Sequence, residues 1–331
     1  MSTPLTINSV ETLEQALPII RKAQELYSTF SQEQVDAICE KSAMAVSKMR
    51  IPLAKMACEE TGYGIMVDKV TKNQYASEHV WNYMRNKKTC GVIEENKAFG
   101  TMRIASPKGV IAAIILSPHP HAVNCSIAAA KIIRDAAIEA GLPEHVISWV
   151  SVPSLEISDY LMKNVDLIMA TGGSGMVKAA YSSGTPAIGV GPGNCNVVID
   201  ESADLRMAVE SIIHSKTFDN GMICASEQHI TVLASVYDEV KRLLKEARCY
   251  FLKDDEAAKV AEVFFNSKTH GVKPGAVGQT ANRLAEMAGI DVPYDTKVLI
   301  YETDDTSHDC AWANELSLIH ISEPTRLGMI S

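Results

Sequence analysis

The sequence predicts an α/β protein built around parallel β-strands, and three observations carry this prediction. Short apolar runs rich in β-branched residues recur along the chain, as expected for strands buried in a parallel sheet. Amphipathic stretches of helical period alternate with these runs, which is typical of βαβ units. With 331 residues, 47% of them hydrophobic and 21% charged, the chain has a globular composition and room for about two domains.

The first ninety residues are predicted to be a helical scaffold. Ser31 and Gln34 form a capping box ahead of an apolar stripe, and Pro52 begins a further helical stretch. Two glycines within residues 61–64 interrupt that stretch, and helical character resumes over about 67–84. We therefore expect packing from this region, not chemistry.

From about residue 101 the pattern changes to strands that alternate with helices. Predicted strands cover 110–116, 147–150, 166–170, 187–190, 197–199 and 298–301. Predicted helices cover 127–140, 203–216, 236–246 and 257–265, with another that ends near residue 181. Gly141 and Pro143 close the first of these helices.

Composition and charge exclude several classes of function. The chain carries 40 acidic and 31 basic residues, a formal net charge of −9, which argues against a nucleic-acid partner. No secretory pattern occurs in residues 1–15 and no apolar run is long enough for a membrane helix, so we expect a cytoplasmic protein. The eight scattered cysteines contain no CxxC pair and indicate reduced thiols. His119 and His121 lack further ligands at metal-binding spacing, so no metal is expected.

Two glycine clusters each follow a predicted strand. Residues 166–180 form a strand, a glycine turn and a helix, a geometry that can bind phosphate at the helix N-terminus. The turn is not a Rossmann fingerprint, because Lys178 stands where the third glycine belongs, and it lacks the Lys of a Walker loop. The second cluster spans 189–194. For both clusters, a ligand site and a purely geometric turn remain open.

Cys224 is the sharpest candidate for chemistry. It follows the turn-forming pair Asn220-Gly221 and precedes small residues, so neighbouring backbone N–H groups favour its thiolate. A thiolate held in this way can attack a carbonyl carbon. The alternative is that Cys224 is a small buried apolar residue, and one sequence identifies no histidine partner for it. The residues alone leave both interpretations open.

A family resemblance adds to this interpretation. Residues 215–221 and 223–228 resemble the nucleophile segment of CoA-acylating aldehyde dehydrogenases, and are most similar to the N-terminal half of bifunctional aldehyde–alcohol dehydrogenases. The resemblance extends over about residues 10–315. Further segments that share it are 53–57, 59–62, 88–92, 170–181, 188–194 and 197–200. An aldehyde dehydrogenase-like fold is therefore expected, with a parallel-sheet nucleotide-binding domain and an incomplete α/β catalytic domain.

The resemblance implies a reaction. Cys224 is expected to attack acetaldehyde or another short aldehyde, NAD to accept hydride, and CoA to take the acyl group from the cysteine thioester. The reaction is reversible and belongs to alcohol fermentation. Hydrolytic relatives carry a glutamate base in the turn that corresponds to residues 189–193, and its absence here favours a thiol acceptor over water.

The resemblance also implies binding residues and partners. The expected cofactor-binding residues are Ser117, His119, Thr171, Gly172, Gly173, Ser174, Gly189, Gly191 and Glu315. The expected partners are the aldehyde and CoA, without nucleic acid or membrane, and a homo-oligomer is compatible with the family. Residues 1–216 are expected to hold the N-terminal helices and NAD-binding domain, and 217–315 a partial catalytic domain.

The chain departs from the family pattern in two places. After Ile115 the family continues into a loop with an oxyanion-stabilising asparagine, a helix and a strand, and on the order of 20 residues are absent here. Losing one oxyanion donor typically costs about 10²–10³ in rate. The chain is also expected to stop before the rest of the catalytic domain and the alcohol dehydrogenase half. Residues 316–331 resemble a translated sequencing adapter and are expected to be a non-native tail, with a divergent natural tail as the alternative.

These departures keep two other functions open. One is an inactive fragment that only binds nucleotide or partner subunits. The other is a different acyl-reducing member of the superfamily, such as a glutamyl-phosphate reductase. Turnover by the folded chain would exclude the first, and turnover of a phosphorylated substrate without CoA would support the second.

Overall fold

A computed structural model of the protein describes residues 4–115, 122–191, 193–267, 271–305, 307, 310–313 and 320–324. The chain divides into two units, of which the first comprises residues 1–61 and 69–191 and the second residues 62–68 and 192–331. These units are defined by packing, so the predicted functional division at residue 216 stays a prediction. In the described part of the chain, no helix is long and apolar enough to cross a membrane.

The first unit begins with helices and continues with alternating strands and helices. Its helices are α1 (Val10–Tyr27), α2 (Gln32–Lys48), α3 (Arg50–Thr61), α4 (Met66–Gln74, whose first turn lies in the second unit), α5 (Val80–Met84), α6 (Val123–Glu139), α7 (Leu155–Asn164) and α8 (Ser174–Ser182). Its strands are β1 (Gly91–Asn96), β2 (Thr101–Ala105), β3 (Ile111–Ile115), β4 (Leu167–Thr171) and β5 (Ala187–Val190). A π-helical turn at Tyr75–His79 joins α4 to α5.

Strands β3, β4 and β5 form a parallel sheet in that order, and one of its faces is the core of the unit. Alternate residues of β3 and β4 point to this face: Ala112, Ile114, Ile168 and Ala170. They pack against apolar residues of α1 and α7. The predicted strands at 110–116, 166–170 and 187–190 are therefore confirmed. The predicted strand at 147–150 is wrong, because only Val150 pairs there, in a single bridge to Ile7.

The opposite face of this sheet, here called the bare face, is left largely uncovered by the described part of the chain. Ile111, Met169, Ile188 and Val190 are 46–55% exposed on it. Parallel sheets are normally covered by helices on both faces, because their crossover connections place helices there. The bare face includes Ile111 of β3, the strand after which a loop, a helix and a strand are expected to be absent. The exposed apolar face is the physical consequence expected from such a loss.

The two faces predict opposite responses to truncation. Ile168→Ala is expected to lower the free energy of unfolding by about 2–5 kcal/mol, because Ile168 is fully buried on the central strand. Ile188→Ala, the matched control on the bare face, is expected to change it by less than about 0.5 kcal/mol. Urea titrations of both variants measure these changes, and equal losses would contradict the assignment of the faces.

The N-terminus of α6 is capped from another helix. Both carboxylate oxygens of Glu60, in α3, accept backbone N–H groups at the start of α6, from Asn124 and Cys125 at 2.8 Å. A carboxylate at this end also interacts favourably with the helix dipole. This contact satisfies donors that no side chain at the cap position itself could reach, since that residue is Ala122.

The second unit holds a larger parallel sheet. Its strands are β6 (Cys195–Ile199), β7 (Glu227–Val232), β8 (Cys249–Phe251), β9 (Val298–Thr303) and β10 (His320–Pro324), in the order β6-β7-β10-β9-β8. Its helices are α9 (Leu205–Thr217), α10 (Tyr237–Glu246), α11 (Asp254–Phe264) and α12 (Ala281–Ala288). Short 3₁₀ turns occur at Phe218–Gly221, Pro274–Ala276 and Ala311–Ala313.

Three of these strands extend the sequence prediction. The predicted segments at 197–199 and 298–301 are confirmed as β6 and β9, whereas β7 and β8 were not predicted. Strand β10 lies in residues 316–331, the expected non-native tail, and it pairs in parallel with β7 and β9. Its place in the sheet does not test whether that segment is native, which stays a prediction.

Candidate active site

Cys224 lies in an exposed turn that leads into β7. The turn is preceded by three consecutive residues in the left-handed region, Asp219, Asn220 and Gly221, with φ of 50°, 53° and 69°. Only glycine adopts this region without strain, although Asp and Asn tolerate it better than other residues. A backbone held in this way needs contacts from the surrounding structure to persist.

Contacts within the second unit supply this support. The Asp219 side chain is fully buried, and its Oδ1 accepts the backbone N–H of Ile65 at 2.7 Å. In a second contact, Oδ2 of Asp68 accepts the backbone N–H of Asp219 at 2.7 Å. The Asn220 amide donates to the carbonyl oxygen of Gly278 at 2.8 Å. The turn before Cys224 is thus clamped by residues that are distant in sequence.

Gly278 is needed for this clamp on steric grounds. Its φ is +67°, and a Cβ built there would lie 2.8 Å from Sδ of Met222, a residue of the nucleophile turn. It would also lie 3.1 Å from the backbone nitrogen of Gly64. A side chain at this position would be strained by the positive φ and would crowd Cβ of Tyr63 at 2.9 Å, so it would disturb the segment whose carbonyl oxygen accepts from Asn220.

A second thiol lies beside the nucleophile turn. The Cys195 thiol, at the first residue of β6, donates to the carbonyl oxygen of Cys224 at 3.4 Å. The turn itself is closed by Ser226, whose hydroxyl and N–H both donate to the carbonyl oxygen of Ile223. Sequence reasoning did not single out Cys195, because nothing in the spacing of residues 195 and 224 shows that β6 and β7 are neighbours.

Lys216 is a fully buried basic residue that interacts electrostatically with Glu227 and Cys195. It lies in the last turn of α9 and has no exposed surface. Burial lowers the pKa of its ammonium group to about 7, although the negative charges of Glu227 and of an ionised Cys195 oppose the change. Oε2 of Glu227 is buried and has no hydrogen-bond partner among the described residues. Sequence reasoning placed Lys216 at the end of a helix but could not detect its burial.

The pH dependence of stability tests the burial of Lys216. Between its folded pKa of about 7 and the ordinary value of 10.5, the unfolded chain binds a proton that the folded chain has released. The free energy of unfolding should therefore rise with pH across this window, by up to about 1.4 kcal/mol per pH unit relative to Lys216→Met. Denaturant titrations of both proteins at several pH values measure the difference. Parallel curves for the two proteins would contradict the shifted pKa.

His229 is buried close to the start of β7, and its hydrogen bonds stabilise the fold. Its Nδ1 pairs with Oδ1 of Asn194, and its Nε2 pairs with the carbonyl oxygen of Trp312 at 2.7 Å. Burial lowers the pKa of this histidine. Because both ring nitrogens are engaged, His229 in this arrangement is not placed as the proton acceptor of Cys224.

The first glycine turn has the geometry of an anion site within the first unit. Thr171 ends β4, the N–H of Gly172 donates to the carbonyl oxygen of Val190 at 3.0 Å, and Gly173 is the N-cap of α8. No side chain of the described residues caps this helix, and Met176 and Val177 already donate their N–H groups to the carbonyl oxygen of Gly173, so the N–H groups of Ser174 and Gly175 are those left for a ligand. Space is open around Gly173, where a Cβ would meet nothing within 4 Å.

The second glycine cluster has a packing role at its first residue. A Cβ at Gly189 would lie 2.7 Å from Val177 and 2.8 Å from Tyr181, both on α8. The N–H of Gly189 also donates to the Tyr181 hydroxyl at 3.0 Å. This close approach of β5 and α8 explains the glycine without a ligand. At Gly191 a Cβ would make only an ordinary contact.

Not all of the residues predicted to bind the cofactor are among those that the structure describes. Ser117, His119 and Glu315 lie outside the described residues. The binding roles of Thr171, Gly172, Gly173, Ser174, Gly189 and Gly191 stay predictions, as does the role of Cys224.

Comparisons with known proteins agree with the predicted fold and family. A family model described as "Aldehyde dehydrogenase family" matches residues 112–260. An aldehyde-alcohol dehydrogenase of Clostridium acetobutylicum is 46% identical over 94% of this chain and 39% of its own length. A succinate-semialdehyde dehydrogenase (acetylating) of Clostridium kluyveri is 35% identical over 91% of this chain and 70% of its own. A crystal structure of an acetylating aldehyde dehydrogenase from Geobacillus thermoglucosidasius superposes with a TM-score of 0.89, at 37% identity, over 95% of this chain and 75% of its own.

The lengths of these alignments show how much of the relatives has a counterpart in this chain. The chain spans about two fifths of the length of the Clostridium acetobutylicum relative. That alignment runs over 335 positions, more than the 331 residues of the chain, although only 94% of the chain is aligned. The relative therefore carries internal residues that have no counterpart here. This agrees with the absent segment expected after Ile115 and with the bare face of the first sheet.

Proposed function

The chain belongs to the aldehyde dehydrogenase family, in its CoA-acylating branch, and from this premise we propose that it converts a short aldehyde, CoA and NAD to acyl-CoA and NADH. Acetaldehyde is the proposed aldehyde, and the reaction is reversible. The observation that carries the proposal is the exposed Cys224 at the end of a turn clamped by buried contacts. Such preorganisation is what a nucleophile needs.

Cys224 carries the acyl group in the proposed reaction. The Cys224 thiolate attacks the aldehyde carbon and forms a hemithioacetal, in which Sγ is bonded to the former carbonyl carbon. Loss of hydride from that carbon leaves an acyl thioester on Cys224. The CoA thiol then attacks the thioester carbonyl and displaces the Cys224 thiolate. The clamped backbone from Asp219 to Gly221 holds Sγ in place through these steps.

The acyl acceptor is proposed to be a thiol and not water. Residues 189–193 contain no carboxylate that could activate water as a general base. Without such a base, the thioester persists until a better nucleophile than water arrives. A thiol such as that of CoA meets this requirement, because a thiolate is a stronger nucleophile at neutral pH.

The first unit fits a nicotinamide dinucleotide. The uncapped N-terminus of α8 and the open space at Gly173 suit a pyrophosphate group, which Thr171, Gly172, Gly173 and Ser174 would hold. When bound, the nicotinamide ring would supply the acceptor for the hydride that the hemithioacetal carbon loses. We propose NAD over NADP, as the resemblance to the bifunctional enzymes implies. A cytoplasmic location and a homo-oligomer are proposed on the same basis.

An assay of the purified chain tests the proposal. NADH formation from acetaldehyde should continue over many turnovers only when CoA is present, and should stop after at most one equivalent per active site when CoA is omitted. NADP in place of NAD should support a lower rate. Sustained NADH formation without CoA, with release of free acid, would contradict the thiol acceptor.

A second candidate function is nucleotide binding without turnover. The bare apolar face of the first sheet favours it, because a unit that lacks its covering helix is expected to hold its loops loosely. Equilibrium titration with NADH separates the two functions. Binding of NADH by a folded chain that forms no NADH from aldehyde, CoA and NAD would favour this second function.

A further inference from the structure

We propose that Cys195 is a resolving thiol, which forms a reversible disulfide with Cys224 when a peroxide oxidises the nucleophile. The inference rests on the proposed role of Cys224 as a reactive thiolate. It adds a modification site to the second unit, with hydrogen peroxide or an organic hydroperoxide as the oxidant. The disulfide would block the acyl-transfer reaction and protect Cys224 from irreversible oxidation.

The geometry places the two residues within reach of each other. The Cys195 thiol already points at the backbone of Cys224, with Sγ 3.4 Å from its carbonyl oxygen. The Cα of Cys195 pairs across the sheet with that of Glu227, only three residues after Cys224. A disulfide requires the two Cα atoms to approach within about 4.4–6.8 Å, which neighbouring strand ends permit.

Neither cysteine lies in the interior of a regular element. Cys195 is the first residue of β6, where the pairing register shifts between Cys195 and Asn196. Cys224 lies in the turn before β7, outside any strand. Strand ends and irregular pairings adjust more easily than a regular ladder, so a small movement of the turn suffices to join the thiols.

The charged groups around Cys195 favour loss of its thiol proton, which it needs in order to attack. Lys216 is buried beside Cys195, and the two groups interact electrostatically. With a pKa of about 7, the Lys216 amine is partly neutral near neutral pH and can accept the proton that Cys195 must lose to attack. Glu227 also faces Lys216 and balances the resulting positive charge.

The other cysteines of the second unit are poor competitors. Cys249 is buried, and burial raises the pKa of its thiol to about 12, so it stays protonated and unreactive. Cys310 is half-buried and lies next to Ala311 and Trp312, which pack on the apolar core. Cys224 is exposed and meets the oxidant first.

The reaction balances in two steps. The Cys224 thiolate attacks one peroxide oxygen, which breaks the O–O bond and gives a sulfenic acid and, after protonation, one water molecule. The Cys195 thiolate then attacks the sulfenic sulfur, forms the S–S bond and displaces hydroxide, which takes up the proton held by Lys216 and leaves as water. Two thiols are oxidised by two electrons in total, and one peroxide is reduced to two waters. A small thiol reductant reverses the change.

Mass spectrometry of the full chain tests the proposal. The chain is treated with a small excess of hydrogen peroxide, remaining thiols are alkylated with iodoacetamide, and trypsin releases residues 179–206 and 217–241, each with one cysteine. The expected product is one linked pair of these peptides, two hydrogen atoms lighter than their sum, which disappears after treatment with dithiothreitol. In Cys195→Ser the link should be lost and Cys224 should accumulate as sulfinic acid, which dithiothreitol does not reverse.

The controls separate this inference from the proposed function. Cys310→Ser is the matched control and should leave the linked pair unchanged. The readout is covalent, so it does not depend on turnover. Sulfinic acid at Cys224 to the same extent in the wild type and in Cys195→Ser would overturn the resolving role alone. Failure of iodoacetamide to modify Cys224 in the reduced, folded chain would overturn it together with the proposed nucleophile.

Discussion

Replacing Cys224 by alanine is expected to lower the rate of CoA-dependent NADH formation by on the order of 10⁴-fold or more. The sulfur forms the covalent bond to substrate in every step of the proposed reaction, and no other group of the turn can replace it. Because the side chain is exposed, the substitution should change the free energy of unfolding by less than about 0.5 kcal/mol. Steady-state kinetics and a urea titration measure the two effects.

The matched control for this substitution is Cys39→Ala. Cys39 is also exposed, but it lies on α2 of the first unit. Its removal should leave the rate of NADH formation unchanged within about twofold, as expected for a surface substitution. Unchanged turnover in Cys224→Ala would contradict the nucleophile assignment, whatever the stability of the variant.

The second large effect is expected at Asp219. Asp219→Ala should lower the free energy of unfolding by about 2–4 kcal/mol, from two sources. It leaves the N–H of Ile65, in a part-buried hydrogen bond, without its acceptor, and it places a residue that disfavours positive φ at 50°. Since this residue begins the clamped turn, kcat should also fall, by on the order of 10²-fold, because Sγ is misplaced by a distance comparable to 1 Å.

Asp219→Asn is the matched control, because it keeps both the acceptor oxygen and the tolerance of positive φ. Asparagine tolerates the left-handed region and keeps an oxygen that can accept the Ile65 N–H, so its loss of stability should be less than about half that of alanine. Chemical denaturation gives the stabilities, and the alkylation rate of Cys224 gives the effect on the turn. Equal behaviour of the two variants would contradict both proposed sources of the loss, the missing acceptor and the disfavoured φ.

Local patterns predicted the regular elements where periodicity is strong. The apolar run at 110–116 and the glycine turn at 171–175 became β3 and the junction of β4 with α8, because β-branched residues and glycines act over a few neighbouring residues. The segment 147–150 has the same apolar character but pairs at one residue only, since strand formation needs a partner that the sequence does not name. Strands β7 and β8 were missed for the same reason.

The family and the candidate nucleophile were readable from the sequence, because both depend on short continuous segments such as 215–228. The arrangement around that nucleophile was not. The clamp on Asp219 joins residues about 150 positions apart in the chain, and the Cys195 contact joins two strand ends that only the sheet makes neighbours.

Burial likewise belongs to the tertiary structure. Lys216 is an ordinary basic residue near a helix end in the sequence, and only the packing of α9 against its sheet removes it from water and lowers its pKa. Ile168 and Ile188 are equally apolar, yet one is fully buried and the other bare. Residue type sets how strongly a side chain avoids water, and long-range packing decides whether it can.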